Sequence, residues 1–406
     1  MTSKILALAL LGFTAAGVVL YPAHEGIGTS NAAPPHPVAG NQHPGAVLTS
    51  DRPKVEVVFV LDTTGSMGGL IQAAKEKIWS IATTMAQAQP APEIRIGLVA
   101  YRDRGDSYVT RVVDLSADLD SLYATLMEFQ ADGGGDGPES VNQALYDAVH
   151  KVSWGQDDDA YRVVFLVGDA PPHMDYQDDV KYPVTLAAAR QRGILVNAIQ
   201  CGDSSDTART WQQVAQLGQG QYLRVEQSGG AVAIATPFDE KLATLSAQLD
   251  DTRLYYGSEE EKQQQKRKLE ATEKLHAGSS VASRARRATF NASESGAANL
   301  LGKGELVEDV ASGRVDLSSI EREALPASLQ AMSPQEQQAL IEENARQRDA
   351  LKDEIRQLSG QRAAYLKQKV EEAGGAQDSL DEKIFNAVRA QAGKKGLRYE
   401  AEAPSY

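Results

Sequence analysis

Val55-Glu56-Val57-Val58-Phe59-Val60-Leu61-Asp62-Thr63-Thr64-Gly65-Ser66-Met67 is an apolar, β-branched run that stops abruptly at an acid and three hydroxyls. Such a run reads as a strand buried on both faces, as in a parallel sheet. At its carboxyl end Asp62, Thr64 and Ser66 place oxygen donors at alternate positions. Hard oxygen donors suit Mg²⁺, Mn²⁺ or Ca²⁺.

Outward from that run the chain alternates. A helix over about 70–88 carries Leu70, Ala74, Ile78, Ile81 and Met85 at helical spacing, and Pro90 and Pro92 end it. Strands are expected at 94–101, 108–115, 162–167, 194–199 and 221–225. Helices are expected at 119–129, 140–152, 184–192, 208–217 and 238–249. Strands alternating with helices imply an α/β fold: a doubly wound, mostly parallel sheet with helices on both faces. Tyr108–Leu115 follows its neighbour after a tight polar turn, which makes it the candidate antiparallel edge strand. In such folds ligands bind outside the carboxyl ends of the strands. Asp62 ends one strand and Asp169, in Gly168-Asp169, ends another, so two distant acids become one candidate site.

Three segments, in this order and on this strand pattern, carry a family resemblance: Asp62-Thr63-Thr64-Gly65-Ser66-Met67, the loop Gly133-Gly134-Gly135-Asp136-Gly137-Pro138-Glu139, and Gly168-Asp169. Residues 54–256 resemble a von Willebrand factor type A domain with a metal-ion-dependent adhesion site. Tyr101-Arg102-Asp103, the Gly-rich loop and Gly168-Asp169-Ala170-Pro171-Pro172-His173 resemble a bacterial and protist subgroup that includes the A domains of alpha-kinases. The resemblance implies a divalent cation, Mg²⁺ first and Mn²⁺ or Ca²⁺ as alternatives. It implies Asp62, Thr64, Ser66 and Asp169 as ligands, the two acids acting largely through water. Where the family carries a threonine in the third loop, this chain offers Asp136, with Glu139 as the alternative. A third carboxylate would leave the site at a formal charge of −1 and disfavour an acidic partner group. Asp103 is expected to support the site through loop backbone, and His173 to lie on the surface at its rim. A competing reading makes Asp62 and Asp169 simple helix-dipole acids and Thr64 an N-cap.

The rest of the chain sets the context. Residues 1–21 hold Lys4 and then an apolar stretch, expected as a signal peptide or an N-terminal membrane anchor. Residues 22–53 read as a flexible linker rich in Pro, Gly, Ala, Asn and His. Export to the periplasm or cell surface follows from this as an expectation. Cys201 is the single cysteine and follows an apolar run, so it reads as a buried thiol. The net charge of −14 argues against nucleic-acid binding. Between residues 51 and 257 there are 29 acidic and 17 basic side chains, against 25 and 23 after them, so the excess acid accompanies the candidate cation site.

Residues 257–406 read as a helical, partly flexible interaction arm. Ser333-Pro334-Gln335-Glu336 is a strong helix start, and the long helix should run over 334–373 to Gly374-Gly375. Leu351, Ile355, Leu358 and Tyr365 follow coiled-coil spacing, but Arg348, Arg362 and Lys369 interrupt it. The Ser/Ala/Gly-rich stretch 277–304, with Arg284, Arg286 and Arg287, is expected to be flexible. The chain shows no Gly-x-x-x-x-Gly-Lys-Ser/Thr loop, no His-Glu-x-x-His and no Gly-x-Ser-x-Gly elbow. The leading expectation is therefore a non-catalytic, cation-dependent module that binds a protein partner in the cell envelope. The alternatives are a metal-dependent enzyme, or a regulatory subunit of one, and a helical scaffold around a metal-free fold.

Overall fold

The computed structural model describes residues 52–399 apart from 136, 230–233 and 373–378. The expected leader at 1–21, nearly all of the linker and Asp136 lie outside the described residues. The first part of the chain alternates as its periodicities predict. It runs through β1 (Lys54–Asp62), α1 (Gly68–Ala86), β2 (Glu93–Tyr101), β3 (Thr110–Ser116), α2 (Leu119–Glu128), α3 (Val141–His150) and β4 (Tyr161–Gly168). It continues through α4 (Tyr182–Gln191), β5 (Ile194–Cys201), α5 (Ser205–Leu217), β6 (Gln219–Val225) and α6 (Asp239–Asp251).

The six strands order as β3-β2-β1-β4-β5-β6. All neighbours pair parallel except β3, which lies antiparallel on β2 at the edge, as its short connection requires. The order reverses at β1, so the crevice between the carboxyl ends of β1 and β4 is the switch point where such sheets hold ligands. Side chains of β1 alternate between the two layers. Val55, Val57, Phe59 and Leu61 enter the layer with α1 and α2, while Val58 and Val60 enter the layer with α3, α4 and α5.

Among the described residues seven further α-helices follow: α7 (Glu259–Gly278), α8 (Val281–Asn291), α9 (Ala297–Leu301), α10 (Leu306–Ala311), α11 (Ala327–Gln330), α12 (Pro334–Glu372) and α13 (Leu380–Ala392). Ser258 and Glu261 close a capping box on α7. Ser333 and Glu336 bond reciprocally at the start of α12, as the sequence predicts.

The stretch 277–304 departs from its expected flexibility. It forms α8 and α9, and Arg286 and Arg287 are buried. Arg287 is 0% exposed and grips Asp120 of α2 with bonds of 2.7 and 2.6 Å. Its other side holds Asp250 of α6 at 2.8 and 3.0 Å. Burial opposes ionisation of Asp120, but the Arg287 guanidinium outweighs it and holds the carboxyl well below the usual carboxylate range. Composition alone missed this because Ser and Ala are equally at home in a tightly packed helix once an arginine between them finds two acids.

The arginines that break the heptad pattern of α12 have the same explanation. Arg348 pairs with Glu305 at 2.8 Å and Arg362 with Asp239 at 2.7 Å. Both lie on the buried stripe with Ile341, Leu351, Ile355, Leu366 and Val370. That stripe packs on the chain's own α6, α8 and α10.

Helix α13 returns to the sheet. Leu380, Ile384, Ala387, Val388 and Ala392 join Phe59, Leu61 and Val167 in one core. Gln391 accepts from the Tyr161 hydroxyl of β4 at 2.7 Å and donates to Asn197 of β5 at 2.7 Å. Lys77 of α1 pairs with Asp381 at 3.0 Å, both nearly fully buried.

Candidate functional site

β1 delivers Asp62 to the carboxyl edge fully buried. The chain then turns through a single 3₁₀ turn, Gly65–Met67, into α1. Thr64 stands where an N-cap would, but its side chain makes no cap bond. Its hydroxyl donates to Asp62 Oδ1 at 2.7 Å, and its amide donates to the same oxygen at 2.9 Å. The capping alternative is thereby corrected. Thr64 Oγ1 also lies 3.5 Å from Ser66 Oγ, and Ser66 is exposed. One carboxylate and two hydroxyls thus meet at the mouth of the crevice.

Among the described residues Asp62 Oδ2 is buried without a close hydrogen-bond partner, although the Tyr101 hydroxyl lies beside it. A Cβ on Gly168 would stand 3.0 Å from it and strike the buried Tyr101 hydroxyl, so only glycine admits these two groups side by side. Burial raises the Asp62 pKa to about 7, against the hydrogen bonds from Thr64 and with the help of nearby Asp169.

Asp169, at the end of β4, is half-buried. Its Oδ2 accepts from Gln227 Nε2 at 2.6 Å, and its carbonyl accepts from the Thr207 hydroxyl at 2.8 Å. Gln227 also reaches the Ser66 carbonyl at 3.4 Å, tying the first loop to the Asp169 loop. No spacing or motif signals this glutamine, which lies just past β6.

Glu139, at the start of α3, is only 4% exposed, and among the described residues its Oε2 has no hydrogen-bond partner. Its amide donates to the Pro171 carbonyl at 2.9 Å and its carbonyl accepts from the His173 amide at 3.0 Å. This short parallel bridge fixes it to the loop that carries Asp169. Gly134, at φ +74°, separates Glu139 from Thr64: a Cβ there would lie 3.2 Å from Glu139 Oε1 and 3.2 Å from Thr64 Cβ. Burial, with Asp62, Asp103, Asp106 and Asp169 adding repulsion, pushes the Glu139 pKa up to about 9.

The supporting residues differ from expectation. Asp103 accepts from the side chains of Ser140 and Tyr176, each at 2.8 Å, rather than from loop backbone. Asp106 does that work, taking the amides of Asp103 and Gly134 at 3.0 Å. His173 is buried rather than at the surface. It stacks on Tyr176 with 4.0 Å between ring centroids and lies between Asp175, at 2.8 Å, and Asp103, at 3.3 Å. Cys201 is buried, as its apolar run predicts.

Among the described residues, no set of three or more His, Cys, Asp or Glu side chains converges closely enough to hold an ion alone. Among the described residues the crevice offers two hydroxyls and two buried carboxyl oxygens, Asp62 Oδ2 and Glu139 Oε2, without a close hydrogen-bond partner, the Tyr101 hydroxyl lying beside Asp62. Polar atoms so deeply buried are ordinarily paired, and a hard cation is one group that would pair them.

The sequence profile of the von Willebrand factor A domain matches residues 56–237, the span from β1 past β6. Residues 56–237, a little under half of the chain, are therefore similar to a von Willebrand factor A domain. Over 93 residues it is 40% identical to von Willebrand factor A domain-containing protein 7 of Rattus norvegicus, covering 23% of this chain and 10% of that protein. It is 28% identical over 120 residues to alpha-protein kinase vwkA of Dictyostelium discoideum, covering 29% of this chain and 19% of that one. Among solved structures, the SpRpn10 VWA domain aligns over 43% of this chain and 89% of its own, at 11% identity and a TM-score of 0.34. The chain spans only about a tenth to a fifth of the length of the curated relatives it matches, so the likeness is one of domains. Among the described residues no helix is long and apolar enough to cross a membrane.

Proposed function

We propose that the A domain is a non-catalytic protein-binding module that works with a divalent cation held at the crevice between β1 and β4. A single observation carries this reading: Thr64, Ser66 and Asp62 gather oxygens there while, among the described residues, Asp62 Oδ2 stays buried with no close partner beyond the neighbouring Tyr101 hydroxyl. Two ligands of an octahedral Mg²⁺ at right angles stand about 3 Å apart. The 3.5 Å between the Thr64 and Ser66 hydroxyls is close to that. In this reading Thr64 and Ser66 bind directly and Asp62 and Asp169 act largely through water. Asp136 or Glu139 supplies the third loop's donor. Mg²⁺ is the first candidate, with Mn²⁺ and Ca²⁺ as alternatives. The protein acts in the cell envelope, exported by residues 1–21 as a cleaved leader or an anchor.

A bound ion must stabilise the folded state by mass action. Millimolar Mg²⁺, Mn²⁺ or Ca²⁺ should therefore raise the melting temperature of the wild type and leave Asp62→Ala unchanged. Equal responses in the two proteins would refute the cation site. Capture of partners in Mg²⁺ and in EDTA tests the rest, since chelator-insensitive capture would separate partner binding from the ion. Cell fractionation with N-terminal sequencing tests export.

A further inference from the structure

We propose that the side chains of Lys77 and Asp381 condense to an isopeptide bond, fastening α13 covalently to α1. The inference stands apart from the cation reading and holds or fails without it. Three observations support it. Lys77 Nζ lies 3.0 Å from Asp381 Oδ2, which brings the amine against the carboxyl group at the approach typical of atoms poised to react, about 3–3.5 Å. Both side chains are almost fully buried, at 1% and 2% exposure. Asp381 also borders a small cavity walled by Ile81, Met85, Ile384 and Phe385, so its surroundings are apolar. Thr84 lines the same cavity, and among the described residues neither its hydroxyl nor Asp381 Oδ1 has a hydrogen-bond partner.

An ordinary ion pair is the competing state, and this site is a poor one for it. In water a lysine and an aspartate stay apart because hydration favours both charges. Burial strips that hydration away at a large cost per ion. It draws the Lys77 amine below its ordinary pKa, against the pull of Asp381, and the buried Arg286 adds to the fall. A neutral lysine amine in a desolvated pocket is a nucleophile. Passing one proton from Nζ to the carboxylate leaves an amine beside a carboxylic acid. The Nζ lone pair then attacks Asp381 Cγ and the N–C bond forms. The bond from Cγ to the protonated oxygen breaks, and that hydroxyl leaves with a second Nζ proton as water. The Thr84 hydroxyl is the cavity-wall group able to relay this second proton. Of the three ammonium protons, one ends on the amide and two on the water, so no oxidant, reductant or other co-reactant is needed. One uncharged amide replaces two buried charges, and that difference favours the product in a dry site.

The bond would close a span of 304 residues and would persist in denaturant, where an ion pair separates. The test is peptide mapping by mass spectrometry of the whole chain, purified and then digested in urea. The wild type should yield a branched peptide that joins the segments holding Lys77 and Asp381 and is lighter than their sum by one water. Fragmentation should place the junction at these two residues. Lys77→Arg keeps the positive charge and should fold, as circular dichroism would show, but should yield no branched peptide. Asp381→Ala should yield none either. Full recovery of the two segments as separate peptides from the wild type would overturn the proposal whatever the variants do. A junction from Lys77 to any other carboxyl, or a branched peptide that survives in Lys77→Arg, would overturn it as well.

Discussion

Burial and neighbouring carboxylates raise the pKa of Asp62 to about 7 and of Glu139 to about 9. An unfolded chain would release those protons near pH 4. Between pH 4 and 9 the folded chain therefore binds more protons than the unfolded one, and in EDTA this site's contribution to stability falls as pH rises. Urea melts at pH 5, 7 and 9 should show that slope in wild type and a smaller one in Glu139→Gln. A slope of equal size in both would show that Glu139 is not responsible. Because a cation needs these groups ionised, Mg²⁺ affinity should rise across the same range, with proton release on binding. Gly134 offers a separate probe. Gly134→Ala would place a methyl 3.2 Å from both Glu139 Oε1 and Thr64 Cβ at a φ of +74°. It should weaken Mg²⁺ binding more than it lowers the melting temperature in EDTA, which paired calorimetry and melts would measure. Asp62, Thr64 and Asp169 were legible in the sequence because strand ends mark the crevice. Gln227, Asp106 and the burial of His173 were not, since each depends on which loops fold back over the edge.

Helices α2, α6 and α8 meet at Arg287, and its two carboxylates come from elements 167 and 37 residues away in sequence. Asp120 and Asp250 are also engaged by Thr272 at 2.9 Å and His276 at 2.8 Å, so the network is fully paired. Removing one partner of a buried charge network typically costs about 3–5 kcal/mol, because the remaining charges lose their counterion. Arg287→Ala should lower unfolding stability by that order in denaturant titration, whereas Arg284→Ala, whose side chain is half-buried, should cost far less. Equal costs would show that the network is incidental. The start of the long helix Pro334–Glu372 was legible from Ser333, Pro334 and Glu336, because capping is local chemistry. The partners of Arg348 and Arg362 were not, because Glu305 and Asp239 reach them only through tertiary packing. A charged residue on an otherwise apolar stripe reads as an interruption until its acid is found.

The segment that matches the A-domain profile, residues 56–237, does not cover its own sheet. Helix α13 lies over Phe59, Leu61 and Val167 and is fastened by Gln391 and by the Lys77–Asp381 pair. A chain ending at residue 256 should therefore expose a wide apolar face, and at about 25 cal/mol per Å² that face is a strong drive to aggregate. Expression of residues 52–256 should give insoluble or dye-binding material, while residues 52–399 should give a soluble, cooperatively melting protein. A soluble, cooperative 52–256 fragment would show that α13 is dispensable. The α/β class and the edge strand were legible because periodicity of 2 and 3.6 residues is written locally. The surface that α13 meets was not, since nothing in a helix's own spacing names a sheet far back along the chain.

That return of α13 to β1 also sets a clock. Roughly 130 residues separate the end of α6 from the start of α13, and at ribosomal speeds of about 5–20 residues per second the sheet's last cover arrives on the order of ten seconds after the strands are made. During that interval a nascent chain carries an unfinished face, open to whatever chaperone holds it.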